Sequence, residues 1–182
     1  MMLILASASP RRKYLLENAG CEFLTIVPEV EEIVDPLMPL EQLCQLNAKI
    51  KAEAVAKQHA NATVIGADTL VAIDSRILGK PADLLEAREM LSALSGRTHV
   101  VCTGVCLIFP DGRIDCFSQL TEVTFAKLGN AEIDAYFARV NPLDKAGAYG
   151  IQEHGNLLGA TISGSFDNVM GLPVTEVLSK LA

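Results

Sequence analysis

The order of strand-like and helix-like segments most constrains what this chain can fold into. In the first half, short apolar runs alternate with segments of helical spacing, whereas two long β-rich runs follow one another at 98–109 and 114–125. Between these two runs lies Pro110-Asp111-Gly112, a strong turn signal. Alternation favours parallel strands joined by helices, and the turn favours an antiparallel pair. We therefore predict an α/β fold with a mixed central sheet flanked by helices.

Caps and helix breakers set the limits of the predicted elements. Ser9 is placed to cap a helix that starts at Pro10, and Gly20 is placed to end it. Asp83 is placed to cap a later helix that ends at Gly96. The other predicted elements are strands at 3–6, 22–27 and 63–73, short strand candidates at 149–152 and 157–162, helices at 40–59, 131–140 and 173–181, and an acidic loop at 29–39.

Composition points to a globular protein. The 182 residues are half hydrophobic and one-fifth charged, so we expect a single domain, residues 1–182, with its own core. No run approaches the roughly 18 apolar residues that a membrane span needs, and no secretory leader is recognisable, so a cytoplasmic protein without membrane contact is expected. Five cysteines without a Cys-x-x-Cys pair signal neither a disulfide framework nor a zinc site. Cys102 and Cys106 share one face of a predicted strand and are expected in the core.

The net charge narrows the classes of ligand that the protein is expected to bind. The net charge of −7 disfavours nucleic acid polymers, because proteins that bind them carry broad basic surfaces. RNA binding through residues 11–13 is a weaker alternative for the same reason. A small anionic substrate fits better, since a triphosphate needs only a few local cations. The sequence contains no serine-hydrolase elbow, phosphate-loop motif or dinucleotide-binding glycine motif.

The strongest local signal lies where the first strand meets the first helix, in Ser7-Ala-Ser-Pro-Arg-Arg12. Free backbone N–H groups and the helix dipole favour an anion at such a position. Arg11 and Arg12 oppose the dipole of the helix itself, but they suit a phosphate nearby, because guanidinium binds phosphate through two hydrogen bonds. The alternative is a solvated basic turn.

Asp68 directly follows the strand-like sequence Ile65-Gly66-Ala67. A carboxylate at a strand end is suited to bind Mg²⁺ or Mn²⁺, or to accept a proton from water. A turn-forming Asp is the alternative.

Other polar residues lie at positions where neither helix nor strand formation requires them. Lys80 lies between a glycine and a proline, and Gln152 follows a glycine-rich stretch where its amide could pair with a base edge. For Lys80 the alternative is an exposed loop charge, and for the stretch before Gln152 it is a plain glycine turn. The acidic loop offers a group of carboxylates that suits a hard divalent cation, unless it is only a solvated loop: Glu29, Glu31, Glu32 and Asp35.

Six short sequences occur in order along the chain: Leu5-Ala-Ser-Ala-Ser-Pro-Arg-Arg12, Gly66-Ala-Asp-Thr69, Leu78-Gly-Lys-Pro81, Leu94-Ser-Gly-Arg-Thr-His99, Asp144-Lys-Ala-Gly-Ala-Tyr-Gly-Ile-Gln152 and Val169-Met-Gly-Leu-Pro173. Together they resemble the Maf family of nucleotide pyrophosphatases over nearly the whole chain. The resemblance implies a mixed α/β fold of two lobes with a cleft, similar to inosine triphosphate pyrophosphatases. It also implies cleavage between the α- and β-phosphates of a nucleoside triphosphate with a divalent metal. The second and fifth sequences look like the branch that acts on dTTP and UTP; the 7-methyl-GTP branch is the alternative.

The resemblance also assigns residues. Asp68 looks like the acidic catalytic residue, and with Glu32 it would hold Mg²⁺ or Mn²⁺. Lys51 and Lys80 match further catalytic positions. The positions that match substrate contacts are Ser9, Arg11, Arg12, Thr69 and Gln152, of which Arg11, Thr69 and Gln152 are linked to substrate choice. One departure is Leu46-Asn-Ala48, where family members often carry Arg-Leu-Ala.

A nucleotide-binding regulator is the alternative from a different class, because the family is also associated with arrest of septum formation. Binding a triphosphate needs the cations but not a positioned acid, so the presence of Asp68 together with Lys80 favours catalysis. Homodimerisation is a further expectation from the resemblance.

Overall fold

The computed structural model describes residues 2–182, which form a mixed α/β structure. The strands are β1 (Met2–Ala6), β2 (Leu24–Ile26), β3 (Ala62–Ile73), β4 (Arg76–Leu78), β5 (Thr98–Ile108), β6 (Ile114–Thr124) and β7 (Thr161–Ser163). The α-helices are α1 (Pro10–Asn18), α2 (Leu40–Ala56), α3 (Leu84–Leu94), α4 (Asn130–Phe137), α5 (Phe166–Met170) and α6 (Val174–Leu181). Two 3₁₀ turns cover Ala146–Ala148 and Gly155–Leu158.

All seven strands belong to one sheet of order β2-β1-β3-β5-β6-β7, with β4 also paired to β3. β1 runs parallel to β2 and β3, whereas β4 is antiparallel to β3 and β7 is antiparallel to β6. Five residues connect β5 to β6, too few for a parallel crossover, so this neighbouring pair is an antiparallel hairpin. The predicted mixed sheet flanked by helices is confirmed.

The chain forms two compact units. The first unit contains the chain up to Thr69, together with Thr103–Gln119 and Gly171–Ala182. The second unit contains Leu70–Cys102 and Leu120–Met170. Asp68 and Thr69 therefore belong to the first unit, and the fifth of the six short sequences belongs to the second.

The core of the first unit lies between the sheet and α2. β1 and β3 pair so that Ile4 lies beside Val64 and Ala6 beside Gly66. Small side chains of α2 pack against these strands and let the helix approach closely. The buried members of this cluster are Ile4, Ala6, Ala48, Ala52, Val55, Ala62, Val64 and Cys106.

Two glycines set the approach of α2 to the sheet. A Cβ added to Gly66 on β3 would lie 2.1 Å from the Ala48 carbonyl oxygen, and one added to Gly104 on β5 would lie 2.3 Å from the Cys44 carbonyl carbon. Both contacts are with the helix backbone, which cannot rotate away as a side chain does. Glycine at these positions therefore determines where the residues of α2 stand over β3.

Gly66→Ala is expected to lower the free energy of unfolding by about 3 kcal/mol, because overpacking against rigid backbone costs at the upper end of its usual range. For a chain of this length the corresponding fall in Tm is roughly 6–12 °C. The matched control is Gly79→Ala, since a Cβ there would meet no atom within 4 Å. Thermal denaturation of both variants decides: equal Tm values would contradict the close packing of α2 on β3.

The start of α1 is formed as its sequence indicates. Ser9 is the N-cap and its hydroxyl accepts a hydrogen bond from the Arg12 backbone N–H at 3.4 Å, with Pro10 as the first helical residue. Gly20 follows the helix with a φ of 77°, a left-handed conformation that favours glycine. The predicted cap and stop are confirmed.

The prediction of short strands after position 148 is largely wrong. Only Thr161–Ser163 is a strand, whereas 149–152 contains none and a 3₁₀ turn covers Gly155–Leu158. The backbone φ is positive at Gly147, Ala148, His154 and Gly159, and left-handed residues at such short intervals interrupt an extended chain. Helix α5, which immediately follows β7 and a two-residue turn, was not predicted either.

Within residues 2–182, no helix is both long and apolar enough to cross a membrane.

Candidate functional site

Asp68 and Lys51 form a buried ion pair at the centre of the candidate site in the first unit. Asp68, on β3, is 5% exposed, and Lys51, on α2, is 8% exposed. The Lys51 Nζ lies 2.7 Å from Asp68 Oδ1 and 2.6 Å from Glu32 Oε1. One ammonium therefore bridges two carboxylates, and the structure brings together three of the residues singled out from the sequence.

Asn47 holds the acidic loop against this ion pair. Its Nδ2 donates to the Ile33 carbonyl at 3.0 Å, and its Oδ1 accepts from the Ile33 backbone N–H at 2.8 Å. Nδ2 also contacts Asp68 Oδ2 at 3.4 Å. Asn47 lies four residues before Lys51, so both share one face of α2. Because Ile33 is fixed in this way, the neighbouring Glu32 is placed beside Lys51.

Asn47 is a residue of the candidate site that sequence reasoning missed. It stands in the stretch where the sequence departs from the usual Arg-Leu-Ala, and that departure was the only signal. A polar residue that is 2% exposed on the sheet-facing side of a helix indicates a specific partner, but the partner is known only from the fold.

Arg12 joins three segments of the first unit. Its guanidinium donates to the Gly171 carbonyl at 2.7 Å, to Thr69 Oγ1 at 3.0 Å and to Ser7 Oγ at 3.3 Å. Thr69 Oγ1 is in turn 2.9 Å from Thr103 Oγ1. Burial lowers the pKa of Arg12, and the nearby Asp68 carboxylate opposes that shift. Arg12 thus serves first to connect α1 with Thr69 in the interior of β3, which the sequence pattern alone did not indicate.

Ser9 and Arg11 lie at the N-terminus of α1. The Ser9 backbone N–H donates to Ser7 Oγ at 3.1 Å, which shapes the turn between β1 and the helix. Arg11 is half-buried in the first helical turn, where the helix dipole and its own charge both favour an anion. The structure therefore brings Ser9 and Arg11 onto the same helix start as Arg12.

Lys80 and Gln152 belong to the second unit. Lys80 is exposed in the loop after β4, and that loop is tied to the glycine-rich segment by a 3.0 Å hydrogen bond from Gly147 N–H to the Gly79 carbonyl. The side chain of Gln152 donates through Nε2 to Glu153 Oε1 at 2.8 Å.

The other side-chain atom of Gln152, Oε1, is buried and accepts no hydrogen bond from residues 2–182. Such an acceptor is costly unless something donates to it. Glu153 is itself held, because its Oε2 lies 3.2 Å from Nζ of the buried Lys145. Lys145 also pairs with Asp144 at 2.7 Å. This network orients the Gln152 amide so that its oxygen is left without a donor from residues 2–182.

His99 packs in an aromatic cluster of the second unit. Its ring lies edge-on to Phe125 and Tyr149, with centroids 4.8 and 5.4 Å away, and its Nε2 is 2.8 Å from the Tyr149 hydroxyl. Burial lowers the pKa of His99 to about 4 and raises that of Tyr149. His99 is therefore neutral in the folded protein at neutral pH and supports the segment that precedes Gln152.

The His99 pKa predicts a loss of stability in acid. Since the unfolded chain takes up a proton near pH 6.5 and the folded protein only near pH 4, the free energy of unfolding falls as the pH drops through this window. We expect His99 to contribute about 2.5 kcal/mol to the fall between pH 7.5 and pH 4.5. Urea denaturation of the wild type and of His99→Gln at both pH values measures it. The same pH dependence in both proteins would contradict a buried neutral His99.

The carboxylates of the first unit do not form a complete metal site by themselves. Among residues 2–182, no three His, Cys, Asp or Glu side chains are grouped to hold a metal ion. Mg²⁺, however, is commonly bound by one or two carboxylates together with water and substrate phosphates. Asp68 and Glu32 fit that mode, because both are carboxylates and Lys51 Nζ holds one oxygen of each, at 2.7 and 2.6 Å, and so brings the two side chains together.

The fold and the site define an α/β protein with a buried Asp–Lys pair beside a helix start that carries two arginines. A solved HAM1 protein from Coxiella burnetii is similar in fold, with a TM-score of 0.56, 18% sequence identity and 99% of each chain covered. The family model described as "Maf-like protein" matches residues 2–182. The chain belongs to the Maf-like family.

Curated relatives are similar over almost their full length. One from Akkermansia muciniphila, named dTTP/UTP pyrophosphatase, is 50% identical over 179 residues, which cover 98% of this chain and 94% of the relative. Another relative with the same name, from Bacillus anthracis, is 49% identical over 179 residues, which cover 98% of this chain and 93% of the relative. The family suggested by the six short sequences is therefore confirmed.

Proposed function

We propose that this protein hydrolyses dTTP and UTP to the nucleoside monophosphate and pyrophosphate. The observation that carries the proposal is the Asp68 carboxylate, buried within β3 with one oxygen held by Lys51. The near-full-length relatives named dTTP/UTP pyrophosphatase support the substrate class. Modified pyrimidine triphosphates are included in the substrate class that we propose.

Asp68 Oδ2 is the oxygen available for chemistry. Among residues 2–182 its one hydrogen-bonding contact is the 3.4 Å approach of Asn47 Nδ2, whereas Oδ1 is fixed by Lys51 at 2.7 Å. A carboxylate with one oxygen anchored is held in a defined orientation, which suits it to accept a proton from an attacking water. Two roles of Asp68 remain in the proposal: it activates water directly, or it shares a metal ion with Glu32.

We propose Mg²⁺ or Mn²⁺ as the metal ion, held by Asp68 and Glu32. Such an ion, when bound, neutralises phosphate charge and polarises phosphoryl oxygens. The chain itself contributes the positions of the two carboxylates, with Lys51 between them and Asn47 fixing the acidic loop.

The phosphates need cations and N–H donors, because stabilising charge is the main task in phosphoryl transfer. In the first unit Arg11, Ser9 and the N-terminus of α1 are proposed to bind phosphate oxygens, with Arg12 holding the helix start to Thr69. Lys51 adds positive charge beside Asp68. In the second unit, Lys80 is the proposed cation for the leaving pyrophosphate.

Gln152 is proposed to recognise the base. Uracil and thymine carry an N–H donor at N3, which matches the buried Gln152 Oε1, whereas cytosine has an acceptor nitrogen there. Glu153 accepts from Gln152 Nε2 and so prevents the amide from turning its N–H groups toward that acceptor. This orientation explains a preference for dTTP and UTP over CTP.

Glu153→Gln is expected to reduce the ratio of kcat/KM for UTP over CTP about tenfold, because a neutral amide accepts either orientation of Gln152 and one hydrogen bond of about 1.4 kcal/mol is at stake. Steady-state kinetics with both nucleotides measures the ratio. The matched control is Asp144→Asn, which neutralises the other carboxylate that pairs with Lys145. An unchanged ratio in Glu153→Gln, or an equal loss in the control, would overturn the orienting role.

The proposed function is tested with a panel of UTP, dTTP, CTP and 7-methyl-GTP in the presence of Mg²⁺ or Mn²⁺. The proposal predicts the highest kcat/KM for UTP and dTTP. Preference for 7-methyl-GTP would retain the reaction and reject the pyrimidine assignment. Binding without turnover of any nucleotide would instead support a regulator of septum formation.

We further propose that residues 1–182 act as one functional domain in the cytoplasm, without nucleic acid or membrane partners, and that the protein forms a homodimer. Light scattering on the purified protein tests the dimer, and a monomeric mass at micromolar concentration would reject it.

A further inference from the structure

Cys106 and Cys116 face each other across the β5–β6 hairpin of the first unit. Next to the turn, the Phe109 backbone N–H donates to the Arg113 carbonyl at 2.9 Å, which makes these two residues an opposed, hydrogen-bonded pair. Counting three residues back along β5 and three forward along β6 places Cys106 opposite Cys116. The same register pairs Thr98 with Thr124, whose hydroxyl oxygens are 2.8 Å apart. The register set by Phe109 and Arg113 therefore holds along both strands.

The geometry of this pair suits a disulfide. Hydrogen-bonded and non-hydrogen-bonded pairs alternate along an antiparallel ladder, so three steps from the Phe109 pair puts Cys106 and Cys116 at a non-hydrogen-bonded position. Cα atoms at such a position are about 4.5 Å apart, within the range that disulfides span. The Cys116 side chain packs against the core cluster that contains Cys106, so both side chains lie on the same face of the hairpin.

The two cysteines differ in access and in acidity. Cys106 is fully buried in the core beneath α2, whereas Cys116 is half-buried. The hydrogen bond from Cys106 lowers the pKa of Cys116, and the Lys49 ammonium on α2 acts in the same direction. The same hydrogen bond, followed by burial, raises the pKa of Cys106. Cys116 is thus the accessible and more acidic thiol, and Cys106 is placed to react second.

We propose that Cys106 and Cys116 form a reversible dithiol–disulfide site that is oxidised by a small-molecule disulfide of the glutathione class. The Cys116 thiolate attacks one sulfur of the oxidant, the oxidant's S–S bond breaks, and one thiol leaves with the electron pair. The Cys106 sulfur then attacks Cys116 Sγ, the mixed disulfide breaks, and the second thiol leaves after its sulfur has taken the proton of Cys106. Two protein thiols are oxidised and one disulfide is reduced to two thiols.

The second step becomes easier once the first has occurred. While Cys116 is a thiolate, its hydrogen bond with Cys106 is the largest cause of the raised pKa of Cys106. Conversion of Cys116 to a mixed disulfide removes that thiolate. The buried thiol then loses its proton more readily and lies directly against the sulfur that it must attack.

The test treats the folded protein with oxidised glutathione and follows it by intact mass and peptide mapping. Cys21→Ser serves as the background, because Cys21 is the other half-buried cysteine among residues 2–182. We expect loss of two hydrogens, a Cys106–Cys116 linked peptide, and reversal by dithiothreitol. With Cys106→Ser added, the reaction is expected to stop at one glutathione on Cys116.

Three results would overturn the proposal. They are a glutathione adduct that persists on Cys116 while Cys106 is present, a linkage between another pair of cysteines, and thiols that remain reduced at oxidant concentrations that modify Cys21 in the wild type. Circular dichroism of the treated protein must match that of the untreated one, so that the linkage reports on the folded hairpin. If Cys106→Ser does not fold, Cys106→Ala supplies the same comparison.

Discussion

Asp68→Asn is expected to lower kcat/KM for UTP by about 10²–10⁴-fold, the range over which a positioned general base contributes. Asparagine has nearly the same shape but cannot accept the proton of an attacking water, and it binds a divalent cation more weakly. Steady-state release of pyrophosphate measures the effect. The fold is expected to survive, because Lys51 keeps its 2.6 Å ion pair with Glu32 and can donate to the new amide oxygen.

The control for Asp68→Asn is the loss of another carboxylate, which distinguishes a catalytic role from a general effect of charge on turnover. Asp115→Asn removes a carboxylate of the same unit that pairs with Lys180 at 3.1 Å and lies outside the proposed site. It should retain wild-type turnover. Wild-type kcat/KM in Asp68→Asn would end the assignment of Asp68 as base or metal ligand.

Lys51→Met is expected to lower both stability and turnover. Removing one partner of a buried ion pair leaves an uncompensated charge and costs about 3–5 kcal/mol, and here the abandoned carboxylate is that of Asp68, 5% exposed. Turnover should fall as well, because the cation beside the proposed phosphate site disappears. Urea denaturation and pyrophosphate release measure the two effects separately.

The control for Lys51→Met lies two residues away on the same helix. Lys49 makes a 3.7 Å ion pair with Glu53 in which both side chains are more than 40% exposed, and such pairs contribute about 0–1 kcal/mol. Lys49→Met should therefore leave stability and turnover nearly unchanged. Equal effects of the two substitutions would show that the buried Asp68–Lys51 pair has no special role.

Local sequence was enough to predict the parts of the site that depend on neighbours in the chain. Ser9 and Pro10 define the start of α1 through capping chemistry, and the apolar run before Asp68 predicts a buried strand there. The predicted strand end at Asp68 is wrong, because β3 continues to Ile73 and its pairing with β4 lies beyond this residue. The Pro-Asp-Gly turn likewise predicts the hairpin of β5 and β6. In each case the physical cause lies within a few residues.

Other features depend on partners far along the chain, and the sequence pattern did not reveal them. The two hydrogen bonds of Asn47 to Ile33 exist only because α2 passes over the acidic loop. The guanidinium of Arg12 reaches the Gly171 carbonyl, 159 residues away. Gly66 belongs to the short sequence around Asp68. Because a Cβ at this position would clash with the backbone of α2, the glycine also sets the position of the helix.

The strand prediction for the segment after position 148 is wrong for a different reason. Its apolar residues suggest strands, but Ala148 and His154 adopt left-handed conformations that non-glycine residues seldom take. Tyr136 provides one local cause, since its hydroxyl accepts from the Gly150 N–H at 2.9 Å and donates to the Gly150 carbonyl at 3.3 Å. Tertiary contacts of this kind override the preference of the segment for an extended chain.

The most direct test of the central claim is to identify the products formed from UTP. Purified protein with Mg²⁺ is incubated with UTP in ¹⁸O-labelled water, and the products are resolved by mass. The account predicts UMP and pyrophosphate in equal amounts, with a rate that falls in Asp68→Asn. Formation of UDP and inorganic phosphate, or no turnover by a folded protein that still binds UTP, would contradict it.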